Sequence, residues 1–140
     1  PLTMRLSERY TAHRALLVGD AAHVVHPLAG QGVNLGLLDA AGLVEVLVEA
    51  RARQDDLGAE KVLLRYGRWR RSEAEVMARG IHNIRGLFMP QELGPLRRLG
   101  MALVSRSWTA REAFIRRATG RHPNAPALAR GVALTDLLRR

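Results

Sequence analysis

The chain has no cysteine, so disulfides and thiolate metal sites are excluded. It has one lysine, Lys61, and none stands directly after a glycine of the glycine-rich stretch, so a P-loop is excluded as well. Aromatic residues are scarce, with two Trp, two Tyr and two Phe, which leaves little to stack on nucleic-acid bases. No apolar run reaches the roughly 20 residues needed to span a bilayer. The opening PLTMRLSERY lacks the apolar h-region of a signal peptide.

What is present fits one small folded unit. The 140 residues, 47% apolar and 25% charged, suit about one domain. The net charge is +9, carried almost wholly by arginine. Such a balance points to nucleic acid, anionic lipid or a phosphate-bearing cofactor as partner; an arginine excess that is merely solvated explains it equally well.

Residues 1–7 alternate loosely, which predicts a half-buried strand. The run Ala15-Leu16-Leu17-Val18 predicts a second, buried strand. A Gly-, Pro- and His-rich loop follows over 19–32. Helical spacing then runs from Val33 to about Arg53, and again from Val62 to Phe88 with Glu73 interrupting the apolar face. Shorter helices are expected over 96–106, after Pro95, and over 110–118, with Thr109 as N-cap and Gly120 as stop. Residues 122–126 read as a linker, and the tail from Leu128 to Arg140 as weakly amphipathic and prone to fray. The fold class is therefore α+β and mostly α: two short strands, a glycine-rich loop and about four helices. Two strands make a poor sheet alone, so the chain is expected to be a piece of something longer.

The stretch GDAAHVVHPLAGQGVNLGLLDA, residues 19–40, carries the chemistry. Gly30, Gly32 and Gly36 are one residue too widely spaced for a dinucleotide fingerprint, and they lie too far beyond the strand. His23 and His26 lack a convincing third and fourth ligand, with only Asp20 and Asp39 nearby, so loop packing or hydrogen bonding suits them better than metal. Asp20 is an acceptor suited to sugar or polyol hydroxyls. Gly30 and Gly32 allow close approach to a flat or charged ligand. Val33 and Asn34 begin a helix whose free N–H groups favour an anionic group. A polyol attached to a ring that becomes anionic would satisfy both ends, and reduced flavin is such a molecule.

Gly19-Asp20-Ala21-Ala22-His23, Pro27, Gly30-Gln31-Gly32-Val33-Asn34 and Asp39-Ala40 resemble the second FAD-binding motif of the class A flavoprotein aromatic hydroxylases. Arg9-Tyr10, Arg14 to Asp20, Tyr66 to Arg71, Leu87-Phe88 and Leu96 to Gly100 resemble the branch that hydroxylates polyprenyl phenols in ubiquinone biosynthesis. The resemblance covers residues 1 to about 120. It implies that Gly19 and Asp20 serve the ribityl chain. It implies that Pro27 lies beside the isoalloxazine, and that Gly30, Gln31, Gly32, Val33 and Asn34 contact the ring's pyrimidine end. It further implies FAD as cofactor, NAD(P)H as co-substrate, and hydroxylation of an aromatic ring through a flavin C4a-hydroperoxide. No catalytic side chain is nominated, because the cofactor carries the chemistry.

The family's N-terminal G-x-G-x-x-G unit is absent, so the chain is expected to be the C-terminal third of such an enzyme, inactive alone. Residues 1–53 would complete the FAD-binding domain, 54–120 would form a helical region, and 121–140 a linker and tail. A cytoplasmic location is expected, with contact at the inner membrane and a homodimer as options. The rival readings are a basic nucleic-acid-binding module, disfavoured for want of a recognition helix, and an interaction module using the face from Met77 to Met89.

Overall fold

A computed structural model describes residues 4–25, 32–88 and 94–139. The chain is mostly helical with a few short strands. In order these are β1 (Arg5–Leu6), β2 (Thr11–Ala12), β3 (Ala15–Leu16), a 3-10 turn (Gly19–Ala21), β4 (His23–Val24), α1 (Gly32–Ala52), α2 (Glu60–Phe88), α3 (Gly94–Arg106), α4 (Trp108–Ala118) and α5 (Leu134–Leu138).

Among the described residues the two expected strands are four, each two residues long. They form two antiparallel ladders, β1 with β4 and β2 with β3. β2 and β3 are joined by a turn at His13-Arg14, with Arg14 at φ 51°. The region 19–32, expected as loop, contains the 3-10 turn and β4. β4 forms because Leu6 and Arg5 pair with His23 and Val24. That pairing is long-range, and local composition does not reveal it.

α1 and α2 form an antiparallel hairpin. The direction follows from the contacts: Val46 and Ala50 meet Val62 and Tyr66, Gly42 faces Trp69 and Arg70, and Leu35 lies with Met77. Partner numbers rise as α1 numbers fall. α1 ends in a Schellman turn: Asp55 N–H reaches Ala50 O at 2.9 Å, Gln54 N–H reaches Arg51 O at 2.9 Å, and Gln54 takes φ 58°. The first core joins Val46, Ala50, Val62 and Tyr66, with Leu16, Val18 and Trp69 against it. Hence the β3 strand sits over the closed end of the hairpin.

α4 begins at Trp108, so Thr109 lies inside the helix rather than capping it. Its hydroxyl meets that of Ser107, the residue just before the helix, at 3.1 Å. Gly120, at φ 67°, ends the helix as expected, with Arg121 N–H closing onto Arg116 O at 2.8 Å. The stretch read as a linker is packed. Ala125, Pro126 and Ala127 are buried. Trp69 Nε1 donates to Asn124 O at 3.0 Å, and Ala127 N–H donates to Glu45 Oε2 at 2.6 Å. The tail then places buried Leu137 of α5 by α1. The tail expected to fray is packed at this point, because α1 receives Leu137.

Candidate functional site

Asp20 stands exposed in the 3-10 turn. Among the described residues its carboxylate makes no hydrogen bond or ion pair. The turn is possible because Gly19 adopts φ 60°, a conformation that glycine takes without steric cost. It lies directly on α1: a Cβ on Gly36 would stand 3.5 Å from the Gly19 Cα, in ordinary contact. Two glycine backbones thus bring the Asp20 turn against the first turns of α1. That helix start is open, with Val33 76% exposed and Asn34 exposed beside it. Helix N-termini carry unpaired N–H groups and a partial positive charge. An unpartnered carboxylate and an anion-favouring helix start therefore share one surface. Pro27, Gly30 and Gln31, with His26, lie outside the described residues. Gly19, Asp20, Gly32, Val33 and Asn34 are described, and the fold brings their two segments together.

The turn is held from below by a buried ionic cluster. Asp39 on α1 is fully buried. Its Oδ2 accepts from Gly19 N–H at 3.0 Å and from His23 Nε2 at 2.6 Å. Its Oδ1 accepts from Arg70 Nε at 2.9 Å. Burial alone would raise the Asp39 carboxyl; the hydrogen bonds from His23, Arg70 and Gly19 outweigh it, so the pKa lies below the ordinary carboxylate value. An ionised carboxylate only accepts, so His23 Nε2 carries the proton in this contact. Nearby, burial and then the Asp39 charge push the Tyr10 phenol up to about 12. Tyr66 is raised as well, chiefly by burial, and its hydroxyl donates to Leu17 O at 3.1 Å. Glu73 does not merely interrupt an apolar face: it is buried and lies 3.4 Å from His122.

His23 is thus a buried hydrogen-bonding residue, as its loop-packing reading expects. Among the described residues no group of three or more His, Cys, Asp or Glu could hold a metal ion. The Arg65, Arg68, Arg70 and Arg71 cluster is largely used internally. Arg70 meets Asp39, Arg65 meets Glu49 at 2.5 Å, and Arg71 meets Glu75 at 3.0 Å. Sequence reasoning missed the pairing of Asp39 with Arg70. A signal existed: Asp39 lies four residues after Leu35 and Arg70 four after Tyr66, so each charge continues a buried stripe of its helix.

A family model described as "FAD binding domain" matches residues 1–80. Similar relatives include a ubiquinone hydroxylase, UbiL, of Rhodospirillum rubrum, 41% identical over 95% of this chain and 32% of its own length. The 3-demethoxyubiquinol 3-hydroxylase of Escherichia coli is 38% identical over 86% of this chain and 31% of its own. The mitochondrial ubiquinone biosynthesis monooxygenase COQ6 of Drosophila melanogaster is 38% identical over 86% of this chain and 26% of its own. The chain spans about a third or less of the length of the curated relatives it matches.

Proposed function

We propose, from the premise that this chain belongs to the FAD binding domain family, that it supplies the ribityl- and ring-facing side of an FAD site in an aromatic-ring monooxygenase. The substrate class is a polyprenyl phenol of ubiquinone biosynthesis, as the names of its relatives suggest. The observation that carries the reading is the exposed, unpartnered Asp20 carboxylate docked beside the start of α1 through Gly19 and Gly36.

The residues fit such a cofactor. Asp20 would accept hydrogen bonds from ribityl hydroxyls. The start of α1, from Gly32 through Val33 and Asn34, would favour negative charge at the pyrimidine end of the ring. That dipole term is about 0.3–1 kcal/mol, and about 2 when partly buried. Gly30 and Gln31 would complete the ring contact and Pro27 would flank the ring. Bound flavin would supply the redox chemistry: with NAD(P)H as reductant, one oxygen atom of O₂ goes to an electron-rich ring and the other to water. The protein's part is positional. Asp39 receives Gly19, His23 and Arg70, and so sets the height of the Asp20 turn on α1. On this reading residues 1–53 are the flavin-facing part, 54–120 the helical region that clamps it, and 121–140 a packed strap. Peripheral contact with a membrane and homodimer formation are compatible with the same reading.

The test is a fusion in which this chain replaces the matching part of the Rhodospirillum rubrum relative. The expected result is stoichiometric FAD and NAD(P)H-dependent hydroxylation of a short-chain polyprenyl phenol. A folded fusion that takes up no flavin contradicts the proposal.

A further inference from the structure

α3 and α4 hold most of the chain's excess charge. Residues 94–121 contain seven arginines and one acid, Glu112, and Arg116 neutralises that acid at 2.6 Å. Arg98, Arg106 and Arg111 are exposed and have no acidic partner among the described residues. The same helices expose large apolar side chains: Trp108 at 72%, Leu99 at 58%, Met101 at 57% and Ile115 at 55%. Trp108 and Ile115 are two turns apart on one face of α4, with Arg111 between them. No described helix is long and apolar enough to cross a membrane.

We infer that the α3–α4 segment is a docking surface for an anionic lipid membrane, lying in the interface with Trp108 as its anchor. Two features select lipid over other partners. The exposed apolar groups are interleaved with arginines that have no acidic partner among the described residues, the composition of a helix that lies in the membrane interface with its basic face toward anionic headgroups. The headgroup–acyl boundary accepts both at once, with tryptophan favoured at that depth. Clustered arginine is then matched by anionic headgroups rather than left as unbalanced charge. A nucleic-acid surface would instead need stacking aromatics, and Trp108 is the only Trp or Tyr in these two helices. The choice of lipid also rests on the polyprenyl reading above, since such a tail resides in membrane. The surface differs from the Met77 to Met89 face of the rival interaction reading; Met77 packs against the Val25 and Leu35 core.

The test needs neither flavin nor activity, so it fails or succeeds apart from the proposed function. The chain is co-sedimented with phosphatidylcholine vesicles, with and without about 30 mol% phosphatidylglycerol, at low salt. Binding should be about tenfold or more tighter to the anionic vesicles and should weaken in high salt. In a Trp69→Phe background, Trp108 emission should shift to the blue on binding; co-sedimentation of the unmodified chain covers the case in which that variant misfolds. The pair Arg111→Glu with Arg116→Glu should abolish the preference, while Arg51→Glu with Arg53→Glu should not. Equal binding to neutral vesicles, no blue shift, equal loss from both charge reversals, or retention on DNA without vesicle binding would each overturn the assignment.

Discussion

Asp39 joins three elements at the residue scale: the 3-10 turn through Gly19, β4 through His23, and α2 through Arg70. Removing its charge leaves the Arg70 guanidinium buried without a counter-ion, and a buried pair broken on one side costs about 3–5 kcal/mol. Asp39→Asn is therefore expected to lower stability by that order in urea unfolding. Asp39→Leu with Arg70→Met together should cost clearly less than the sum of the two single changes. The carboxyl has a folded-state pKa below its unfolded value, so the sign is set. Its contribution is present above about pH 4, the unfolded value, and is lost as pH falls through the folded value, since the unfolded chain takes up the proton first. Stability measured from pH 7 to 2 should fall in acid, and Asp39→Asn should flatten that part of the curve. A wild-type curve that stays level below pH 4 would refute the account of this cluster.

At the scale of elements, two helix-interior glycines make opposite predictions. A Cβ on Gly42 would stand 2.9 Å from Arg70 Cδ, whose side chain is buried and tied to Asp39. Gly42→Ala should destabilise by about 1–3 kcal/mol through overpacking, despite its better helix propensity. Gly80 has open space around a Cβ, so Gly80→Ala in α2 should stabilise by up to about 1 kcal/mol. Paired thermal melts read both. The helices themselves were legible in the sequence: apolar spacing places α1 and α2 to within a few residues, because each buries one stripe on the other. The strands were not, since each is two residues long and exists only through a distant partner. The strap after Gly120 was hidden for a similar reason. His122-Pro123-Asn124-Ala125-Pro126 has a linker's composition, and only the receiving groups Trp69 and Glu45 make it part of the core. The glycine turn beside Asp20 was readable as a break between the strand run and α1, because glycine supplies the φ of 60° that the turn needs. The Asp39 lock beneath them was half readable, as a charge on a helix stripe whose partner lies 31 residues on.

For the whole molecule, the proposal divides an FAD site between this chain and segments found in its longer relatives, of which it spans about a third or less. The isolated chain is expected to bind FAD weakly or not at all, because contacts to the pyrophosphate and adenosine lie elsewhere in that division. Equilibrium dialysis of the purified chain checks this, and a yellow protein with stoichiometric flavin would refute the division. The central claim is that Asp20, held on α1 by Gly19 and Asp39, grips the ribityl chain. It is tested most directly by FAD titration of the fusion with the Rhodospirillum rubrum relative, comparing the unmodified chain with Asp20→Ala. A hydrogen bond to a charged group is worth about 1.5–3 kcal/mol, so affinity should fall by about 10- to 100-fold in a variant that still folds. Unchanged FAD affinity in a folded Asp20→Ala fusion would contradict the claim.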